Sequence, residues 1–107
     1  MKSQAEFDGV MDMKIREVNE NKKQFISLLL LADEQESMVD HYLEKGTMYV
    51  LEDGNVKAEC VVTEEGNEIL EIKNIAVDPE NQGKGYGKAL IDFLASKAID
   101  ICYMSKK

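Results

Sequence analysis

The chain has 107 residues, 44% of them hydrophobic and 32% charged, and a formal net charge of −8. That length predicts one domain with a single core, burying roughly two thirds of the surface its unfolded chain exposes. The acidic excess excludes a nucleic-acid partner, which would need a basic face, and no apolar run approaches the roughly eighteen residues that span a bilayer.

In chain order, residues 1–12 show no sustained period and read as a flexible N-terminal extension, which leaves 13–107 as the domain. Met13 to Val18 alternates apolar and charged residues with period two, the pattern of a strand covered on one face. From Glu20 the apolar positions Phe25, Leu28, Leu29 and Ala32 recur at helical spacing. Asp33 and Glu36 then form the pattern of a capping box, Asp33 accepting from a new helix and Glu36 reaching back. Met38, Val39, Tyr42 and Leu43 continue the helical period, and Lys45-Gly46 supplies a basic last turn and a glycine stop. The greasy stretch Phe25 to Ala32 lies inside this polar helical pattern and lacks the flanks of a secretory signal, so a cytoplasmic protein is expected.

Thr47 to Leu51, Lys57 to Thr63 and Ile69 to Val77 are three strand signals, separated by Asp53-Gly54-Asn55 and Glu65-Gly66-Asn67. Asp-Gly and Gly-Asn permit positive φ, and connections this short allow only an antiparallel meander. Asp78-Pro79-Glu80-Asn81 stops the last strand. Gly83, Gly85 and Gly87 then open a helix with apolar positions Leu90, Ile91, Leu94 and Ala95, and Ile99 to Lys107 has room for one short final strand. Cys60 and Cys102 are too few for a disulfide framework, have no metal spacing, and read as reduced and packed. No metal site is expected: His41, the only histidine, falls in a helical pattern as an ordinary, partly exposed side chain.

The strand that runs straight into a glycine-lined helix start points to an anion. The first amides of a helix have no partner inside it, and the peptide dipoles add roughly half a positive charge there. Phosphate suits such an end, glycine lets it come close, and Lys84 and Lys88 add charge. The plain alternative is a glycine-rich turn with solvated lysines. The dinucleotide fingerprint fails, because the third glycine, Gly87, comes one residue early. A Walker loop fails too, because Gly87-Lys88 is followed by Ala89 and position 82 is Gln.

Gln82-Gly83-Lys84-Gly85-Tyr86-Gly87 resembles the acyl-CoA signature of the GNAT superfamily of N-acetyltransferases, and Asn74-Ile-Ala-Val-Asp-Pro79 is similar to the stretch that precedes it there. The resemblance covers roughly residues 13–98. It implies an α+β fold, a GNAT-type mixed sheet in the order β1-α1-α2-β2-β3-β4-α3 with a short final strand. It implies acetyl-CoA as cosubstrate, with Gln82, Gly83, Lys84, Gly85, Tyr86, Gly87 and Lys88 cradling the pyrophosphate and Ile75, Ala76 and Val77 lining the pantetheine arm. The activity implied is transfer of an acetyl group to a primary amine of a small molecule or peptide by direct attack. The alternative is a truncated or degenerate module that binds CoA or a partner subunit without catalysis. The acidic surface suits a cationic acceptor and equally serves solubility.

Direct attack requires proton removal from the amine. Glu71, expected with Lys73 on the strand face of Ile75, is the candidate base; the competing reading is a carboxylate on a solvated face. Tyr42 reads first as core packing, although in GNAT proteins this helical pair borders the acceptor cleft. The family's usual continuation past the glycine-turn helix is much shortened here, so the final strand is either a stunted fifth strand or the family's closing strand. An open sheet edge would follow, and homodimer formation by edge pairing or by exchanging an element is expected from it.

Overall fold

The computed structural model describes residues 13–66, 68–98 and 100–103; the expected extension, 1–12, lies outside them. Strand β1 (Lys14–Val18) leads through a 3-10 turn (Lys22–Phe25) into α1 (Ile26–Ala32) and α2 (Glu36–Leu43). Strands β2 (Thr47–Asp53), β3 (Asn55–Glu64) and β4 (Ile69–Val77) follow, then a 3-10 turn (Pro79–Asn81), α3 (Tyr86–Ala95) and β5 (Asp100–Tyr103). The sheet order is β1-β2-β3-β4-β5. The first four strands are antiparallel neighbours, and β5 runs parallel to β4 after the α3 crossover. That pairing makes the last strand a short fifth strand.

Each sheet face carries its own apolar layer. Leu90 and Leu94 of α3, fully buried, pack on Leu51, Ala58, Cys60, Val62, Leu70 and Ile72. Leu29 of α1 and Val39, Tyr42 and Leu43 of α2 pack on Val18, Met48, Val50 and Val61. Burying one such leucine contributes about 1.5–3 kcal/mol, so the helical apolar stripes fix which helix covers which face. Among the described residues, no helix is long and apolar enough to cross a membrane.

A bulge in β4 changes the expected faces. Val61 pairs with Asn74 but Val62 with Ile72, leaving Lys73 as an extra residue. Ile72 and Ile75 therefore both pack toward α3, while Asn74 between them meets α1 and α2. Glu71, opposite Thr63, is consequently turned away from the face of Ile75 that strict alternation assigns to it.

The capping box does not form. Glu36 is held by Lys23 at 2.6 Å, within a cluster that includes Asp40 at 2.7 Å, and α2 has no side-chain cap. Asp33 does accept from the Gln35 amide at the start of α2, at 3.4 Å, and its other oxygen accepts from the Tyr42 hydroxyl at 3.2 Å. Nor does Gly46 take the left-handed conformation of a helix stop. It lets backbone approach backbone, since an added Cβ would lie 2.9 Å from the carbonyl oxygens of Tyr42 and Val62. The cation at the end of α2 is Lys22, whose Nζ donates to the carbonyls of Leu43 and Gly46, both at 2.8 Å.

Candidate active site

Two glycines create the loop ahead of α3. Gly83 (φ 84) and Gly85 (φ 87) are left-handed, and nothing lies within 4 Å of a Cβ added at either. Such φ values are strained for any residue with a side chain, while the space above them is open. Asp78 sets the approach: its amide donates to the Lys57 carbonyl at 2.8 Å and its carboxylate accepts from the Glu80 amide at 3.0 Å. The first intrahelical bond runs from the Ala89 amide to the Gly85 carbonyl at 3.0 Å, and among the described residues no hydrogen bond uses the amides of Gly83 to Lys88. These amides converge on one exposed turn with the positive end of the α3 dipole behind them.

The side chains of this segment divide the work. The Tyr86 ring is buried in the α3 layer and its hydroxyl donates to Asp53 at 2.7 Å, so Tyr86 offers the loop its amide only. Lys88 is exposed and paired with Asp92 at 2.9 Å, and the Lys84 ammonium donates to Asn81 at 3.2 Å. Both cations stand at the rim, free to re-aim. Gln82 points back to the Val77 carbonyl at 3.4 Å.

Beside the loop lies an open groove of about 370 Å³, lined by Ile75, Ala76, Val77, Gln82, Gly87 and Ile91 on one side and by Leu31 and Ala32 of α1 on the other. It exists because β5 pairs only with Ile69 to Ile72, so among the described residues the edge of β4 from 73 to 77 faces no strand. A long apolar arm can run along that edge. A larger depression of about 630 Å³, lined by His41, Tyr42, Lys45, Thr63, Glu64 and Lys73 among others, is polar and shares no lining residue with the groove. It opens on the α2 face, where the bulge also turns Glu71. Glu71 meets the Lys73 ammonium at 3.4 Å, both side chains being about one fifth exposed (19% and 22%).

The structure thus brings Ile75, Ala76, Val77, Gln82 and Gly87 into one groove, with Gly83, Lys84, Gly85, Tyr86 and Lys88 as its adjoining turn, and keeps Glu71 apart. It also shows residues that pattern reading missed. Glu59 is fully buried and neither carboxylate oxygen has a partner; burial pushes its carboxyl up to about 8. Asn74 is buried beneath α1, and burial lifts its neighbour Tyr42 to about 12. A single charged residue inside Ala58-Glu59-Cys60-Val61-Val62 was the available signal for the first. Cys60 is buried, its thiol pushed up to about 12 by that burial, and is no activated nucleophile; Cys102 is exposed rather than packed. Among the described residues no group of His, Cys, Asp and Glu could hold a metal ion.

This is an α+β protein whose helix start leaves the amides of Gly83 to Lys88 without a hydrogen-bond partner among the described residues, beside an open, largely apolar groove. A family model described as an acetyltransferase (GNAT) domain matches residues 44–106. The chain is 38% identical over 84 residues to the uncharacterized N-acetyltransferase YvbK of Bacillus subtilis (strain 168), covering 78% of this chain and 54% of that protein. A GNAT family acetyltransferase from Elizabethkingia anophelis, solved with acetyl-CoA bound, superposes with a TM-score of 0.74 at 31% identity, over 80% of this chain and 57% of that one. A Bacillus subtilis acetyltransferase in complex with CoA gives 0.73 at 35%, over 81% and 58%. The protein belongs to the GNAT acetyltransferase family. It spans about half the length of the curated relative it matches.

Proposed function

We propose that the protein is an N-acetyltransferase that moves an acetyl group from acetyl-CoA to a primary amine of a small molecule or peptide by direct attack. The observation that carries this reading is the run of unpaired amides from Gly83 to Lys88 at the end of an apolar groove. The diphosphate fits that run because both left-handed glycines leave the space above them clear, and Ile75, Ala76 and Val77 offer the neighbouring arm an apolar face. Acetyl-CoA and CoA in structures that share this fold support the same assignment.

Acetyl-CoA supplies a thioester carbon open to attack. In this reading the chain orients it: Gln82 to Lys88 hold the diphosphate, and Ile75 to Val77 direct the arm along β4. The groove walls of Leu31, Ala32 and Ile91 keep water from the arm. Free main-chain amides on the open edge of β4 are the available donors for charge that develops on the carbonyl oxygen. Glu71 removes the amine proton, directly or through water, with Lys73 holding its carboxylate on the α2 side; the C–N bond forms as the thioester C–S bond breaks, and the departing thiolate takes a proton from solvent. The polar depression on that side receives the acceptor. Cys60 takes no part as a nucleophile, since burial holds it as a thiol.

A cytoplasmic location belongs to this proposal and is supported by two unlinked cysteines. So does a homodimer paired through the outer edge of β5. Thiol release from acetyl-CoA over a panel of primary amines tests the reaction. Turnover with at least one amine is expected, and CoA binding without turnover on any would leave a binding module instead.

A further inference from the structure

Asn74 is the amide on β4 that faces α1 and α2, and it is only 2% exposed. Both hydrogens of its Nδ2 are used, one on the Leu29 carbonyl at 3.0 Å and one on the Tyr42 hydroxyl at 2.9 Å. The Tyr42 hydroxyl in turn donates to Asp33 Oδ2 at 3.2 Å. Leu29 lies in α1, Tyr42 in α2 and Asp33 at the end of α1, where the backbone turns extended. One side chain on the strand therefore gathers the whole α1–α2 elbow.

The elbow matters because Leu31 and Ala32 lie within the tethered span and form the groove wall opposite Ile75, Ala76 and Val77. Buried Leu29 holds α1 on the sheet, but Leu31 itself is 50% exposed and its own burial does not set the wall. The polar chain adds a fixed point at that end of the helix. An amide at position 74 is a poor choice for stability alone: its Oδ1 is buried without a partner, a desolvation cost that a leucine would avoid. What the amide adds is a fixed position for the elbow.

We infer that Asn74 is a positioning residue for the groove: through Leu29, Tyr42 and Asp33 it holds the Leu31–Ala32 wall at a set distance from Ile75–Val77, so that the groove is pre-formed for the pantetheine arm. This rests on the acyl-CoA reading of the groove. Pre-forming the wall lowers the ordering cost at binding, so its loss appears in affinity for a ligand that fills the groove. The glycine turn makes no hydrogen bond to this chain of groups, so the diphosphate end is held independently.

The test compares two probes on the intact chain by calorimetry: CoA, and adenosine 3′-phosphate 5′-diphosphate, which carries the diphosphate without the arm. Asp33→Ala, at a half-buried linker position, is expected to weaken CoA by roughly 3- to 10-fold, the range for one lost hydrogen bond, and to leave the nucleotide unchanged. Asp33→Asn keeps an acceptor for the Tyr42 hydroxyl and restores CoA affinity; Tyr42→Phe repeats the loss of Asp33→Ala. Equal loss on both probes, no loss on CoA, or failure of Asp33→Asn to rescue would overturn the inference. A wild-type chain that binds neither probe overturns the acyl-CoA reading itself, a distinct result that removes the inference with it.

Discussion

Glu59 and Ala76 are partners across the β3–β4 ladder, so a fully buried carboxyl stands beside the small residue that lines the groove. Neither carboxylate oxygen is bonded, and burial moves the folded-state value from the ordinary 4.5 to about 8. The folded chain therefore holds a proton that the unfolded chain releases between those values. Stability should be intact below about pH 4.5 and fall as pH rises to about 8, by a few kcal/mol from this group. Gln is close to the same shape and cannot ionise, so Glu59→Gln should flatten the profile and raise stability at pH 8. Denaturant titrations from pH 5 to 9 measure this; identical slopes for the two proteins would contradict it.

Gly46 is needed for closeness. A methyl group there would meet the Tyr42 and Val62 carbonyl oxygens and Val61 Cγ1, each at 2.9 Å. Two of these are backbone and cannot swing aside, so Gly46→Ala should cost about 1–3 kcal/mol by urea denaturation. A neutral or stabilising result would show that the α2–β2 junction is looser than this packing requires.

If Glu71 takes the amine proton, Glu71→Gln should lower kcat by about 10²- to 10⁴-fold in the thiol-release assay, with CoA affinity by calorimetry held within about 3-fold. Glutamine keeps the shape of the side chain and removes the charge that meets Lys73 at 3.4 Å. An unchanged kcat would return Glu71 to a partly buried ion pair.

The β5 edge away from β4 pairs with no strand among the described residues, and such edges are covered or paired in stable proteins. Light scattering over a hundredfold concentration range should report a homodimer. A monomer throughout contradicts edge pairing.

Much of this architecture was legible because it follows from period and turns. Val39, Tyr42 and Leu43, and Leu90 and Leu94, mark the buried sides of two helices, and the turns at Gly54 and Gly66 adopt the positive φ that their dipeptides allow. The glycine turn was legible for the same reason, since Gly83 and Gly85 are where backbone conformation demands glycine. What could not be read depends on contacts across the chain. The bulge at Lys73 arises from the register with β3 and reverses the face of Glu71. Lys23, thirteen residues away, draws Glu36 out of its capping box. Asn74 reaches Leu29 from 45 residues away, and the local motif that contains it does not tell where its amide points. Leu31 falls off the helical spacing of Phe25, Leu28, Leu29 and Ala32, and in the fold it is half exposed and lines the groove.

The central claim is that main-chain amides between Gly83 and Lys88 hold a diphosphate while Ile75 to Val77 carry its arm. Amide-resolved NMR of the labelled chain, titrated with CoA, tests it most directly. The largest shifts are expected at Gly83, Lys84, Gly85, Gly87 and Lys88, with a second group at Ile75 to Val77 and loss of both in Gly85→Val. Saturable CoA binding that leaves the Gly83 to Lys88 amides unmoved, or Gly85→Val binding as wild type does, would contradict it.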